Sequence, residues 1–299
     1  MQLSKKISLK KNDNVIFIST AKYSRKEELS FSVKLLESWG LNVDFGKNLY
    51  KRNRIFSGSI DERLSDIQYA LDNNEYKAIF FTRGGYGSIQ ILDLINWIKF
   101  SNHPKLMIGF SDITIFHSHV INNFNIETIH SNMPYFYINS SKKSIKNLKN
   151  ILFGNAITYK FKSTKKNKFG ECGGKIIGGN LSILCSLLGS TSQINTKNNI
   201  LFIEDVDEYY YQIERMIYSL KRAGFFDSLK GLVVGKFKKI KDNKIKFGKN
   251  LYDIILDLTH EYSFPIAFNL PIGHLFNNNP IIFNTKIKLI VNENFVIIK

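Results

Sequence analysis

The first half of the chain alternates short apolar runs with stretches whose apolar residues recur at helical spacing. Leu29, Val33 and Leu36 share one face of a helix expected at 26–39, which Gly40 would end. Further helices are predicted at 61–73, from about residue 88, and after residue 112. The apolar runs predict strands at 15–19, 43–45, 78–82 and 106–110. This alternation is typical of an α/β fold with a parallel sheet covered by helices.

The second half mixes helices and strands differently and predicts a second domain of mixed α/β type. A short helix is expected to open at Asn180, and the remaining elements are expected at 200–203, 208–222, 231–235 and 250–261, followed by several short strands. Residues 142–172 are rich in Lys, Ser and Asn with weak periodicity, which indicates a basic interdomain linker. The predicted domains are therefore residues 1–141 and 173–299.

Composition fits a globular protein with a sizeable core. The 299 residues are 43% hydrophobic and 13% aromatic, which excludes collagen-like, disulfide-rich and disordered classes. The net charge of +17 is concentrated in three lysine tracts, at 1–11, 142–175 and 236–249. Two interpretations stay open: base composition of the gene filling solvated positions with Lys, or a footprint for nucleic acid or another anionic surface. No recognisable nucleic-acid motif accompanies the tracts.

Features that would direct the chain to a membrane or to secretion are not expected. The amino terminus has no apolar signal region, and no run of about 18 apolar residues occurs. Cys172 and Cys185 lie too far apart for a C-x-x-C motif. We expect both to be free thiols in a reducing cytoplasm.

Two polar turns follow predicted strands of the first sheet, at the edge where α/β sheets bind ligands. Gly109-Phe-Ser-Asp112 would present the Ser111 hydroxyl beside helix N–H groups, which supplies a nucleophile and part of an oxyanion hole. The alternative is that Ser111 only caps the next helix. The other turn is Arg83-Gly-Gly-Tyr-Gly-Ser88. Its glycines would expose N–H donors to a ligand or would simply make a tight turn.

Two further candidates lie in the second half. Glu204 directly follows an apolar run and is the acid of its segment expected to be buried, where a carboxylate needs a partner such as a histidine N–H. His274 lies in the segment Pro271-Ile-Gly-His274 between predicted strands. His117 and His119 would face different sides of a helix, and we find no metal-site spacing.

Six segments in this order resemble the LD-carboxypeptidase family of serine peptidases, which includes the muramoyltetrapeptide carboxypeptidases. The resemblance runs from about residue 15 to about residue 282. The segments are Phe56-Ser-Gly-Ser-Ile-Asp-Glu-Arg-Leu-Ser-Asp66, Arg83-Gly-Gly-Tyr-Gly87, Ile108-Gly-Phe-Ser-Asp-Ile-Thr114, Gly178-Gly-Asn-Leu-Ser182, Leu201-Phe-Ile-Glu-Asp-Val206 and Pro271-Ile-Gly-His274.

The resemblance implies a site and a reaction. Ser111 corresponds to the family's nucleophile, Glu204 to its triad acid and His274 to its base. Backbone N–H groups of Asp112 and of Gly84 or Gly85 would form the oxyanion hole, and Arg83 and Asn180 are candidate substrate-binding residues. The implied substrate is murein tetrapeptide, which would lose its terminal D-Ala during cytoplasmic cell-wall recycling, without a metal or cofactor. The family also implies a homodimer.

The chain departs from the family pattern at positions expected to line the cleft. Ser19-Thr-Ala-Lys22 replaces a turn that often contains Pro-Ser, and His130-Ser-Asn-Met133 replaces His-Gly-Pro-Met. Three other functions stay open: a microcin-immunity-like peptidase acting on peptide–nucleotide conjugates, whose members tend to be longer; a basic nucleic-acid-binding protein; and a non-catalytic binder of wall peptides. The residue that precedes D-Ala, diaminopimelate or Lys, is not predicted.

Overall fold

The computed structural model describes residues 8–299, so Lys5 and Lys6 of the first lysine tract lie outside the described residues. The strands are β1 (Asn14–Ile18), β2 (Asn42–Phe45), β3 (Tyr76–Phe81), β4 (Leu106–Gly109), β5 (Thr128–His130), β6 (Tyr159–Lys162), β7 (Gly170–Asn180), β8 (Ile200–Val206), β9 (Gly231–Lys238), β10 (Ile266–Ala267), β11 (Ile281–Phe283), β12 (Lys286–Val291) and β13 (Phe295–Ile298). The α-helices are α1 (Lys26–Ser38), α2 (Ile60–Asp72), α3 (Ile89–Leu92), α4 (Ile98–Asn102), α5 (Thr114–Phe124), α6 (Lys142–Leu152), α7 (Leu181–Ser186), α8 (Tyr210–Arg222) and α9 (Leu251–Thr259).

The first sheet has the strand order β11-β5-β4-β3-β1-β2, and β1 to β5 run parallel. Apolar cores cover both of its faces, which explains why its strands are apolar at successive positions. In β1, Ile16 and Ile18 pack into one core, whereas Val15 and Phe17 pack into the other. The predicted α/β class and the parallel amino-terminal sheet are confirmed.

The first two helices form where the apolar spacing predicts them. Helix α1 buries Leu29 and Leu36 against the sheet. Helix α2 begins with a reciprocal cap, in which the Glu62 N–H donates to the Ser59 hydroxyl and the Ser59 N–H donates to the Glu62 carboxylate. The helix expected from residue 88 is only the short α3, because the Asn96 side chain accepts the Ile98 N–H and starts α4 instead.

The second sheet has the order β10-β9-β8-β7-β12-β13-β6 and is mixed, as predicted for the carboxy-terminal domain. Strand β7 lies where the sheet changes from parallel to antiparallel pairing. Its residues 170–175 pair antiparallel with β12, and its residues 176–180 pair parallel with β8. A separate apolar core surrounds this sheet.

The prediction of a basic linker at 142–172 is wrong. This segment contains α6, β6 and the start of β7. Leu148, Ile151 and Leu152 form a buried stripe along α6 that packs into one core of the first sheet. The abundant lysines lie on the exposed face of the helix, so a strongly amphipathic helix has the average composition of a loop.

The proposed separation of residues 173–299 from the first sheet is also incomplete. Strand β11 returns to the amino-terminal sheet and pairs antiparallel with β5, with Ile281 opposite His130. A three-residue apolar run does not indicate which strand it will pair with, so the sequence does not predict this pairing. The carboxy-terminal half of the chain therefore contributes a strand to the first sheet as well as most of the second.

The cysteines and the lengths of the helices relate to the expected location of the protein. Cys172 and Cys185 are both free thiols, as predicted. Among residues 8–299, no helix has both the length and the apolar composition that crossing a membrane requires.

Helix α6 provides a test of whether the segment at 142–172 is part of the folded core. Leu148 is only 1% exposed, so Leu148→Ala is expected to reduce the free energy of unfolding by about 2–5 kcal/mol. Urea denaturation measures this change. Lys146→Ala, on the exposed face of the same helix, is the matched control and should change stability by no more than about 0.5 kcal/mol. Equal effects of the two substitutions would contradict the packing described for α6.

Candidate active site

Ser111 lies in a sharp turn between β4 and α5. Its φ of 61° is in the left-handed region, which a residue with a side chain seldom adopts. Gly109 makes this turn possible, because a Cβ atom there would lie 2.9 Å from the Ile113 side chain. Ile113 thus occupies the place at which the G-x-S-x-G pattern has its second glycine. The Ser111 hydroxyl makes no capping hydrogen bond, so the interpretation of Ser111 as a helix cap is wrong.

The Ser111 hydroxyl instead meets a histidine and a carboxylate from the second half of the chain. His274 Nε2 lies 3.2 Å from Ser111 Oγ, and His274 Nδ1 lies 2.7 Å from Glu204 Oε2. Glu204, near the end of β8, is fully buried, whereas the His274 side chain keeps 19% of its surface exposed. A Cβ atom on Gly273, whose φ is 121°, would lie 2.8 Å from Glu204 Oε2. Gly273 therefore allows this carboxylate to approach the imidazole.

The electrostatics of this site favour the charged form of the histidine. Burial by itself would lower the pKa of His274, but the charge of Glu204, its hydrogen bond and the charge of Asp205 outweigh burial and raise the pKa above 6.5. The Phe110 ring packs on the imidazole, with the two ring centroids 4.8 Å apart. The imidazole is thus held between a carboxylate and a hydroxyl, which is the arrangement that lets a histidine accept a hydroxyl proton.

Two of the residues predicted for the oxyanion hole, Gly84 and Asp112, lie next to Ser111. Gly84 lies against Ser111, because a Cβ atom there would be 3.3 Å from Ser111 Cβ and 3.2 Å from Met133 Cε. Gly85 has a φ of 118° and lies under the Lys22 side chain. The Asp112 side chain is buried and accepts the Ser88 N–H at 3.0 Å, which ties the glycine-rich turn to the turn that carries Ser111.

A buried arginine holds the glycine-rich turn in place through hydrogen bonds to backbone carbonyl groups. The sequence does not identify it as part of the site. Arg63 of α2 is 2% exposed, and it donates to the carbonyl groups of Thr20 and Gly87 and to the Gln90 side chain. A Cβ atom on Gly87 would lie 2.7 Å from the guanidinium. The detectable signal is an arginine on the inward face of an amphipathic helix, since such a charge needs several acceptors.

The two candidate substrate-binding residues have other partners. Asn180 is 4% exposed, and its amide donates to Asp205 Oδ1 at 2.8 Å and to Glu204 Oε1 at 3.4 Å, while its oxygen accepts the Ile183 N–H at the start of α7. Its polar atoms therefore contact the two acids and the start of α7, and its role in substrate binding stays a prediction. Burial, followed by repulsion from Glu204, raises the pKa of Asp205 to about 7.

The Arg83 guanidinium is occupied as well. It lies over the Tyr135 ring, with Cζ 4.0 Å from the ring centroid, and it donates to the Tyr23 carbonyl at 3.4 Å. Arg83 thus packs beside the glycine-rich turn and stiffens its edge. The prediction that Arg83 binds substrate gains no support from these contacts and stays a prediction.

A pair of asparagines holds the loop that carries His274 against the first domain. Asn278 accepts the Gly273 N–H at 2.8 Å and donates to Asn132 Oδ1 at 3.2 Å. Asn132 donates in turn to the Leu275 carbonyl at 3.3 Å. Asn132 belongs to the segment in which the chain departs from the family's His-Gly-Pro-Met pattern, so the departure adds contacts to the histidine loop.

The described part of the chain contains no cluster of side chains that could ligate a metal ion. Across residues 8–299, no group of three or more His, Cys, Asp or Glu side chains is arranged to hold a metal ion. His117, one of the histidines considered for metal binding, is buried within hydrogen-bond distance of the Gly109 carbonyl at 3.0 Å, and burial lowers its pKa to about 4.

Comparison with known proteins gives a consistent family. Residues 15–131 match the model of the LD-carboxypeptidase N-terminal domain, and residues 173–289 match the model of the LD-carboxypeptidase C-terminal domain. A probable murein peptide carboxypeptidase of Bacillus subtilis (strain 168) is 32% identical over 275 residues, which cover 89% of this chain and 85% of the relative.

Solved structures share the fold at low identity. The muramoyltetrapeptide carboxypeptidase from Oxalobacter formigenes has a TM-score of 0.87 at 24% identity, with 95% of this chain and 97% of that chain covered. A microcin C7 self-immunity protein in complex with aspartyl sulfamoyl adenosine has a TM-score of 0.86 at 19% identity, with 100% and 98% covered. The fold therefore does not distinguish proteins with these two names.

The raised pKa of His274 provides a test of the contact with Glu204. In the intact protein, an NMR titration should give a pKa for His274 above 6.5. In Glu204→Gln the pKa should fall, because the burial that disfavours the imidazolium is no longer opposed by the adjacent carboxylate. Asp207→Asn is the control, since it removes an exposed acid of the same segment that pairs with Lys241. An unchanged pKa in Glu204→Gln would contradict the geometry of the site.

Proposed function

Because the chain belongs to the LD-carboxypeptidase family, we propose that it is a serine carboxypeptidase that releases the terminal D-Ala of murein tetrapeptide. The observation that carries the proposal is the continuous contact from Ser111 through His274 to Glu204. These three side chains come from separate segments, and a purely structural role would not require a hydroxyl at the open end of a buried carboxylate–imidazole pair.

In the proposed reaction Ser111 Oγ attacks the carbonyl carbon of the bond between the L-configured centre of the third residue and D-Ala. His274 Nε2 takes the hydroxyl proton and later delivers it to the leaving amino group of D-Ala. Glu204 fixes the orientation of the imidazole and stabilises the imidazolium. Water then attacks the acyl carbon and gives a proton to His274, which passes it to Ser111 Oγ as the ester bond breaks and the shortened peptide leaves.

The negative charge that develops on the attacked oxygen needs fixed donors. We assign this role to the backbone N–H of Asp112 and to that of Gly84 or Gly85, because both turns border Ser111. Loss of one such donor typically costs about 10²–10³ in rate. Asp112 and Arg63 would act indirectly, by holding the two turns in register.

The substrate class follows from the family and from the name of the Bacillus subtilis relative. A murein tetrapeptide ends in an L-to-D bond, so releasing its D-Ala is the reaction that the family description implies, and cell-wall recycling is the proposed role. The expected cytoplasmic location, the homodimer and the absence of a nucleic-acid partner stay predictions.

The microcin-immunity-like alternative stays open on one observation, the shared fold of the self-immunity protein. The expectation that such proteins are longer does not separate the two, since that alignment spans nearly all of both chains. Parallel assays with tetrapeptide and with an aminoacyl sulfamoyl adenosine distinguish them. We expect D-Ala release without hydrolysis of the nucleotide conjugate, and the opposite result would replace the proposed substrate.

The nucleophile is tested by Ser111→Ala. We expect D-Ala release from tetrapeptide to fall by about 10⁶-fold, because neither the attacking oxygen nor the acyl-enzyme exists in this variant. Chromatographic detection of D-Ala measures the rate. Ser186→Ala, an exposed serine of α7, should act at the parent rate, and release by Ser111→Ala at that rate would eliminate the proposed nucleophile.

The pH dependence of kcat/KM tests the base. Only the neutral imidazole of His274 accepts the serine proton, so kcat/KM should rise with pH through the pKa of His274 and have its acidic limb centred above pH 6.5. Glu204→Gln should shift that limb to lower pH and reduce the maximum by about 10⁴-fold. A limb that does not move between the two proteins would assign it to another group.

A further inference from the structure

A small cavity adjoins the imidazole of His274. It has a volume of about 220 Å³, which is smaller than the usual site for a large ligand. Its apolar wall is made by Phe110, Phe136, Leu275 and Phe276. Because His274 forms part of the lining, an occupant of this cavity lies beside the proposed reaction centre.

Lys238 is the one Lys or Arg of the described chain that lines this cavity, and no Asp or Glu of the described chain lines it. Lys238 ends β9, where its carbonyl accepts the Asp207 N–H at 2.9 Å, so its backbone is fixed. Its ammonium lies 5.9 Å from the centroid of the Phe276 ring. The two remaining lining residues, Asn132 and Asn139, are neutral amides.

Among the residues that the structure describes, Lys238 has no acidic partner within 4.0 Å, unlike two lysines that follow it in the same tract. Lys241 pairs with Asp207 at 2.9 Å, and Lys249 pairs with Glu214 at 3.3 Å and with Asp257 at 3.1 Å. Within residues 8–299, no ion pair within 4.0 Å involves Lys238. Lys238 is exposed and lines the cavity, so its ammonium can pair with an anionic ligand group that enters there.

We propose that this cavity binds the carboxy-terminal residue of the peptide and that the Lys238 ammonium pairs with its α-carboxylate. The inference rests on the proposed function and deepens it, since a carboxypeptidase must distinguish a free carboxylate from a continuing chain. The released residue is small, which suits the cavity, and its carboxylate is the one charge that every substrate of this class carries at that end.

Other cations near the site fit this role less well. The Arg83 guanidinium is held over Tyr135 and by the Tyr23 carbonyl. Lys22 lies over Gly85, on the glycine-rich side of Ser111, and does not line the cavity beside His274. We therefore assign carboxylate binding to Lys238 and not to Arg83.

The experiment compares tetrapeptide with a tetrapeptide ending in D-alaninamide. Lys238→Met should raise KM for the free acid by about ten- to hundredfold with little change in kcat, because the ion pair is present in the ground state and the transition state alike. The preference for the acid over the amide should disappear. Lys238→Arg should retain most of the preference, and Lys244→Met, which removes an exposed charge of the same tract, should retain all of it.

Binding to Ser111→Ala separates this inference from the proposed reaction. Calorimetry should show tetrapeptide binding that Lys238→Met weakens and Lys244→Met does not, whether or not the parent protein releases D-Ala. Failure of Ser111-dependent release would overturn the proposed function alone. Equal binding of acid and amide by the parent, or loss of acid preference in Lys22→Met but not in Lys238→Met, would overturn the assignment of Lys238.

Discussion

The structure depends on a hydrogen-bonded line that crosses from one sheet to the other. Ser111 follows β4 of the first sheet, Glu204 lies in β8 of the second, and His274 lies in the connection from β10 to β11. Since β10 belongs to the second sheet and β11 to the first, that connection has to pass between them. The position of the imidazole is therefore a consequence of the topology, and the asparagine contacts only refine it.

Direct contact between the domains keeps this line at hydrogen-bond length. Gly179 of β7 approaches α5 so closely that a Cβ atom there would lie 2.5 Å from the Thr114 side chain. The next residue, Asn180, donates its N–H to the Thr114 hydroxyl at 3.0 Å and its side chain to the acids of β8. One short segment thus sets both the separation of the domains and the orientation of Glu204.

Much of this arrangement can be predicted from the sequence. The features that cannot be predicted have identifiable physical reasons. Apolar spacing predicts α1, α2 and the first four parallel strands, but not β5. Motif order identifies Ser111, Glu204 and His274 as the candidate site. The pairing of β11 depends on contacts between residues far apart in the chain. Helix α6 is hidden because its exposed lysines dominate the composition of the segment. The hydrogen bonds of Asn180 to the acids cannot be read from a motif.

The structure shows which lysines of the late tract have acidic partners and which do not. Lys241 and Lys249 of the late tract pair with acids on the surface, so these two lysines add little net charge to the tract. Within the described part of the chain Lys238 makes no such pair, and it is the lysine that we connect with the site. A charge count along the sequence cannot separate these cases, because they differ only in what each ammonium faces.

The central claim, that Ser111 and His274 act as one unit, is tested most directly by comparing Ser111→Ala, His274→Ala and the double variant in a tetrapeptide assay. If the two side chains act together, removal of the second costs almost nothing once the first is gone. We therefore predict that D-Ala release by the double variant is no slower than by the slower single variant. Losses that multiply would contradict the account, since they would mean that the two residues contribute independently.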